Sequence, residues 1–347
     1  MIVDLFSGPR GWSEGLRMLG LTDIGLELDT AACRTAVAAG HPTIQCDVTQ
    51  YPTRPFAGRT RGAIASPVCT PFSVAGKQGG VGDLPLVHQA VHDLAHGRDT
   101  RQDIKAACRD DKSVLAAEPM RWLYDLRPEW VCLEQVPAVL PLWRQYASVL
   151  RGWGYSVWTG VLQAADFGVP QSRRRAILIA SRARTVTAPA PTHSEHGAAG
   201  LFGDDLPRWI TMAEALGWGY TQRPAPTVTG GGTATGGAEP FGNATRRAMR
   251  TAMNDPQHWA WRRPAPTVSG TVGHVGGKQA EGHLGLEPEE GATLQTFPNG
   301  YPFWGTKGQR SLQIGNAVPP LLAAHIVAAA AGLPAPAPAA IPAACGA

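Results

Sequence analysis

Nowhere does the chain run through the roughly 20 consecutive apolar residues that a membrane-spanning helix needs. Its first residues, MIVDLFSG, lack the basic segment and long apolar stretch of a secretory leader. A cytoplasmic protein without membrane attachment is the expectation. Cysteine is sparse and unpatterned: Cys33, Cys46, Cys69, Cys108, Cys132 and Cys345 include no C-x-x-C pair, which argues against a zinc site or a disulfide framework and for reduced, mostly buried thiols. No metal is expected. Charge is scarce too, at 17% of residues with a net +4, a balance that permits nucleic acid as a partner without demanding it. What the chain does hold is 44% hydrophobic residues over 347 positions, enough for one large domain or two unequal ones.

The first half alternates short apolar runs with helical patterns. IVDLF, IGLEL, GAIAS, EWVCLEQV and YSVWTGVL are separated by segments such as AACRTAVAA and PMRWLYDL, which predicts an α/β fold with a mainly parallel sheet and helices on both faces. Ligands of such sheets lie at the carboxyl ends of the strands. The unusual residues cluster at those ends: residues 4–8, 27–29, Asp47, 66–69 and 134–136.

From about 186 to about 283 the composition shifts to Gly, Pro, Thr and Trp with little helical period. Within it stands a repeat, RPAPTVTGGGTATGG from Arg223 and RPAPTVSGTVGHVGG from Arg263, which reads as extended segments entering tight turns or loops. Arginines gather at 173–175, at 246, 247 and 250, and at 262–263, where a phosphate-binding face could assemble, although solvated surface charge is the plainer reading of any one cluster. Helical character returns in EPEEGATLQTF and NAVPPLLAAHIVAAAA, and the Pro/Ala-rich tail from 333 reads as disordered.

Chemistry concentrates in four places. VDLFSGPRGWSEGL sets a strand before a loop with Gly8 and Gly11 and then a helix, where bare backbone and a helix N-terminus suit a ligand carboxylate. Glu27, at the end of the next strand, could accept two ribose hydroxyls, and Asp47 an adenine amino group, so an adenosine-containing cofactor is plausible. Cys69, in SPVCTPFS directly after a strand, is poorly placed for core packing and suits a thiolate nucleophile whose pKa nearby positive charge would lower; the alternative is a small buried hydrophobe. Glu134 ends WVCLE, where it could hold a proton and bond a ring nitrogen, a general-acid role. In QSRRRAILIAS, if extended, Arg173 and Arg175 share a face and Arg174 takes the other, with forks suited to a base carbonyl, a phosphate or Glu134.

In this order the pieces resemble the DNA cytosine-5 methyltransferase family over nearly the whole chain. DLFSG resembles its first motif, Glu27 and Asp47 its second and third, PVCTPFS its nucleophile motif, LEQV its Glu-Asn-Val motif, QSRRR its Gln-x-Arg-x-Arg motif, and EGATLQTFP and QIGNAVPP its last two. The resemblance implies a Rossmann-like S-adenosylmethionine-dependent methyltransferase domain over 1–185, a smaller target recognition domain over 186–283, a segment at 284–332 completing the catalytic domain, and a tail at 333–347. It implies that Cys69 attacks C6 of a flipped-out cytosine, Glu134 contacts N3, Arg175 lies near the base carbonyl and Arg173 supports the pocket. Phe6, Ser7, Gly8, Gly11, Glu27, Leu28, Asp47, Val48, Pro67, Asn316, Ala317 and Val318 would surround S-adenosylmethionine, and the last helix would pack back on the first strand region. Ser73, Arg223, Thr229, Arg263 and Ser269 are the expected contacts to double-stranded DNA. A cognate restriction endonuclease and a monomeric state in a prokaryotic or phage-infected cell, near its DNA, complete the expectation.

The chain departs from the pattern at Arg10, usually Gly, at Val68, usually Pro, at Thr70, usually Gln, and at Gln135, usually Asn. Arg10 must then either point outward or meet the cofactor's carboxylate. The span between Cys69 and Glu134 is long, with glycine-rich GKQGGVGDLPLVHQ and a polar stretch at 92–112; the resemblance implies a mobile loop closing over DNA, which such a glycine-rich segment fits, and a disordered insertion is the other reading. Two other readings stay open: a tRNA methyltransferase of the same fold, and a catalytically silent DNA-binding homologue.

Overall fold

The computed structural model describes residues 1–72, 79–197, 205–217, 253, 255, 257–268 and 286–336. Its centre is a seven-stranded sheet of β1 (Ile2–Leu5), β2 (Ile24–Glu27), β3 (Thr43–Gln45), β4 (Gly62–Ala65), β5 (Trp130–Gln135), β6 (Ser156–Gln163) and β8 (Arg174–Ser181), in the order β3-β2-β1-β4-β5-β8-β6. The first five strands pair in parallel, with α2 (Thr30–Ala38) between β2 and β3 in the chain, and β8 runs antiparallel between β5 and β6. The strand order reverses between β1 and β4, whose ends are level because Leu5 pairs with Ala65. The loops after both strands therefore open into one crevice, where ligands of such sheets bind.

Period-two alternation divides the core. Val3, Leu5, Ala63, Ala65, Val131, Leu133, Ala176, Leu178 and Ala180 face one layer, which holds α3 (Gly79–Ala95), α5 (Glu118–Leu126) and α6 (Leu140–Gly152). Ile2, Ile64, Trp130, Cys132, Ile177 and Ile179 face the other, built on α1 (Gly11–Met18) and α10 (Pro320–Ala331). Both faces of the central strands are thus apolar, as parallel sheets covered by helices require. α1 meets α10 at backbone distance: a Cβ on Gly11 would lie 2.1 Å from the Val318 carbonyl oxygen, and one on Gly15 2.8 Å from Ala323 Cβ. The last helix thus returns to α1 and the sheet through two small residues one turn apart. The helical stretch Lys307–Ala331 is apolar and long enough to cross a membrane by composition, with 89% of its apolar window buried, which marks it as core.

The long span before Glu134 differs from expectation. Residues 79–126 fold into α3, α4 (Arg101–Ala107) and α5, tied by buried Asp83, which accepts from the Arg109 and Asp110 amides and from Ser113 Oγ. Within the polar stretch at 92–112, α4 and the turns that flank it are held by charges that have partners, whereas residues 73–78, where the glycine-rich segment begins, lie outside the described residues. Buried Glu118 pairs with Arg101 and Arg121, and these guanidiniums donate to the Thr49, Val48 and Tyr51 carbonyls. The insertion thereby braces the loop after β3, which carries Asp47.

The described parts of 186–283 pack on the same body. Val186 joins the α1/α10 core, and β7 (Gln171–Ser172) pairs in parallel with β9 (Ala265–Pro266) at the start of the second repeat copy. Met212 and Ala213 of α7 (Met212–Ala215), with Ala260, Ala265 and Val268, share a third core with Leu286, Leu294, Phe297 and Ile314 from α8 (Pro288–Leu294), α9 (Lys307–Asn316) and their flanks.

Candidate active site

On the β1 side of the crevice, the chain turns sharply through Phe6 at φ 58° and Gly8 at φ 52°. A Cβ built on Gly8 would meet no atom within 4 Å, so space lies open before this loop. The Glu27 carboxylate accepts from the Gly8 amide at 2.8 Å and from the Leu28 and Asp29 amides at 2.8 Å each, which fixes its direction and joins the ends of β1 and β2. Leu28 is 64% exposed beside it. Asp47 is exposed, with Oδ1 accepting from the Thr49 amide and hydroxyl. Val48 and Pro67 are buried behind these positions. Ser7 is buried with no hydrogen bond to its Oγ among the described residues. Asn316 ends α9 exposed, while Ala317 and Val318 are buried and Val318 presses on Gly11.

On the β4 and β5 side stand the reactive groups. Cys69 follows β4 and is half-buried against the larger core. The Glu134 carboxylate at the end of β5 meets Arg175 Nε at 2.8 Å, with both side chains largely buried. Arg173 is wholly inside the protein, where Nη1 donates to the Gly315 carbonyl at 2.9 Å. Arg174 is exposed, so the facing of the three arginines is as their alternation implies. Burial pushes the Cys69 thiol up, the Glu134 charge adds to this, and Arg175 and Arg173 pull the other way without overcoming it. The expectation of a thiol lowered by nearby positive charge is corrected: desolvation outweighs the arginines. Burial, with Arg175 beside it, brings Arg173 down to about 9.

Side chains outside the reactive set hold these pieces together. Gln135 donates from Nε2 to the Pro67 and Val68 carbonyls and accepts the Val136 amide, so this departure from Asn carries the Cys69 loop on β5. Trp12 Nε1 donates to Ser66 Oγ at 2.8 Å, linking α1 to that loop. Gln171 donates to Gln295 Oε1 and the Leu294 carbonyl and accepts the Val268 amide, while Gln295 donates to the Ile314 carbonyl. QSRRR, EGATLQTFP and QIGNAVPP are thereby joined by buried amides. Sequence reasoning assigned no role to Trp12, Gln171 or Gln295. A glutamine in fully buried surroundings was the available signal, since a buried amide must find partners.

Arg10 contradicts both orientations expected of it. It points neither outward nor toward a ligand but down beneath its own loop, 0% exposed, with Nη2 2.9 Å from Asp23 Oδ2. Of the expected DNA contacts, Arg263 is exposed and its carbonyl accepts the Met212 amide. Ser73, Arg223, Thr229 and Ser269 lie outside the described residues, as do Arg246, Arg247 and Arg250.

An open, mostly parallel sheet with a turn-and-acceptor pocket at its switch point defines an α/β, Rossmann-like methyltransferase fold. The C-5 cytosine-specific DNA methylase family matches residues 102–331. The chain is 26% identical to the Type II methyltransferase M1.HphI of Haemophilus parahaemolyticus, over 94% of its own length and 85% of that protein. It is 29% identical to the Type II methyltransferase M.NaeI of Lentzea aerocolonigenes, over 94% and 73%. Among solved structures, a DNA modification methyltransferase encoded within an E. coli prophage aligns with a TM-score of 0.55 at 17% identity, covering 96% of this chain and 98% of that one. The S. pombe Dnmt2 methyltransferase gives 0.55 at 14% identity, over 94% and 96%. The chain belongs to the C-5 cytosine-specific DNA methylase family. It is a DNA cytosine-5 methyltransferase, of a family that depends on S-adenosylmethionine.

Proposed function

We propose that the chain methylates C5 of a cytosine flipped out of duplex DNA, through a transient bond between Cys69 Sγ and C6 of the ring. The observation that carries the reading is the gathering of Cys69, Glu134, Arg173 and Arg175 at the ends of β4, β5 and β8, beside the open loop of β1. C5 of cytosine is too weak a nucleophile in the intact aromatic ring. Addition of the Cys69 thiolate at C6, with a proton held at N3 by Glu134, turns the ring into an enamine nucleophilic at C5. Arg175 orients the Glu134 carboxylate and lies near the base carbonyl, whereas Arg173 fixes the β8 entrance to α9. Once C5 has taken the methyl group and S-adenosylhomocysteine is released, water accepts the C5 proton, the electrons of that bond form the C5–C6 double bond, and Cys69 leaves C6 as thiolate, which restores aromaticity. The target atom cannot be reached inside a stacked duplex, so the base leaves the helix.

S-adenosylmethionine supplies the electrophilic methyl group. The residues present fit it: the space before Gly8 admits a ligand, Glu27 and Asp47 offer acceptors to ribose and adenine, and Phe6 and exposed Leu28 offer apolar surface. Ser7, Gly11, Val48, Pro67, Asn316, Ala317 and Val318 complete the proposed cofactor set. We assign 1–185 and 284–332 to catalysis and 186–283 to target recognition, with Ser73, Arg223, Thr229, Arg263 and Ser269 toward DNA. The Type II names of the relatives favour a paired restriction endonuclease.

Trapping on a 5-fluorocytosine duplex tests the chemistry, because fluorine blocks loss of the C5 substituent. With S-adenosylmethionine present, the native protein should migrate as a covalent DNA adduct, while Cys69→Ala binds the duplex and forms none. An adduct with Cys69→Ala removes the nucleophile assignment.

A further inference from the structure

Arg10 is the departure that the proposed chemistry leaves unused. Its backbone stands at φ 74°, ψ 36°, a left-handed state that L side chains rarely adopt and that suits the glycine usual there. Its side chain is wholly buried, with Nη2 2.9 Å from Asp23 Oδ2 and Nη1 3.7 Å from Asp4 Oδ2. Asp4 and Asp23 are buried as well, and Asp23 also accepts from Ser13 Oγ. None of the three guanidinium nitrogens makes a well-directed hydrogen bond among the described residues, so charge pairing is what offsets this burial. The route of the side chain is reserved for it, because a Cβ on Gly25 of β2 would lie 1.5 Å from Arg10 Nη1.

The partners show what the pairing holds. Asp4 lies on β1 two residues before Phe6, Asp23 immediately precedes β2, and β2 ends at Glu27. One guanidinium thus ties the turn after β1 to both strands that carry the pocket, and the Gly8-to-Glu27 hydrogen bond of 2.8 Å spans the same interval. From the other side, Tyr301 Oη donates to the Pro9 carbonyl at 2.7 Å. Burial pushes both aspartates up from the usual carboxylate range, and Arg10 is the largest influence holding them down. Without it, the two buried acids would lose their main counter-charge.

We infer that Arg10 is a positioning residue for the methyl donor, an internal brace, matched by Asp4, Asp23 and Gly25, that sets the loop at 6–11 against Glu27. The inference rests on the reading of that loop as the cofactor loop. Calorimetry with S-adenosylhomocysteine on the full chain tests it with Arg10→Met, which keeps length and removes charge, Arg10→Lys, which keeps charge, and Glu27→Ala as the control. Arg10→Met should bind at least tenfold more weakly and raise KM for S-adenosylmethionine similarly, with kcat at saturation within threefold of native. Arg10→Lys should stay within threefold in affinity, a rescue that a simple loss of packing would not show. Should Arg10→Met fail to fold, Asp23→Asn removes the partner at constant volume and is expected to weaken binding at least tenfold. Native affinity in Arg10→Met, or in Asp23→Asn where that stands in, with a weakened Glu27→Ala, overturns the brace alone. Native affinity in Glu27→Ala overturns the cofactor-loop reading and the inference with it.

Discussion

At Cys69 the protein interior works against the chemistry proposed for it. The thiolate is the nucleophile, yet burial and the Glu134 charge raise the thiol above its ordinary value, and two arginines fail to reverse this. The free protein should therefore hold Cys69 mainly as the thiol near pH 7, leaving full activation to the DNA-bound state. Alkylation of the Cys69 peptide by iodoacetamide, followed by mass spectrometry across pH 6–10, should still be accelerating beyond the ~8.5 of an unperturbed thiol. A plateau below pH 8 would contradict the direction of the shift. At this scale the placing of Cys69, Glu134, Arg173 and Arg175 at strand ends was legible, because apolar runs mark the strands and these residues stand where the runs begin or stop. The net sign of the electrostatics was not, since it depends on depths and distances that strand spacing does not contain.

Among the elements, α10 carries a built-in acid liability. His325 is buried, its ring centroid lies 5.2 Å from that of Phe167, and Nδ1 has no hydrogen-bond partner among the described residues. Burial, with His193 nearby, brings it down to about 4. A folded-state value below the unfolded one means the neutral ring is favoured by folding. That contribution is complete above about pH 6.5, the unperturbed value, and is lost as pH falls toward about 4, on the order of 3 kcal/mol in all. His325→Leu should flatten the fall in melting temperature between pH 6.5 and 4.5, and an unchanged acid limb would refute the assignment. The helix itself was legible from its apolar run. That it packs back on the first strand region was implied by the resemblance, but the closeness of the approach was not legible: only the contacts of Gly11 with Val318 and of Gly15 with Ala323 show that the backbones come near enough to need small residues.

Across the whole molecule, the described part of the repeat is the start of its second copy. The second copy begins on the catalytic body, where Ala265 and Pro266 pair with Gln171 and Ser172, and Val268 is buried with its amide on Gln171. The whole first copy and the glycine-rich continuation of the second lie outside the described residues. Arginine and bare backbone suit phosphate contact or base readout, and only the latter selects sequence. Replacing residues 229–233 or 269–273 with unrelated loop sequence should change the methylated sites or the DNA affinity while S-adenosylhomocysteine binding stays within twofold. Bisulfite sequencing of DNA from expressing cells reads the result, and identical sites at identical rates from both swaps would make the repeat scaffolding.

By itself the sequence determined the α/β class, the strand ends where chemistry collects, and the family. Period-two apolar runs and ordered motifs are local properties, and they survive without coordinates. Tertiary structure decided what local pattern cannot encode. It turned Arg10 inward, because acceptors for a buried guanidinium came from β1 and from the residue before β2. It folded the polar insertion into helices whose arginines hold the loop of Asp47, because a charge finds its partner in space. And it set Cys69 above its ordinary pKa, because desolvation depends on every atom packed around the thiol.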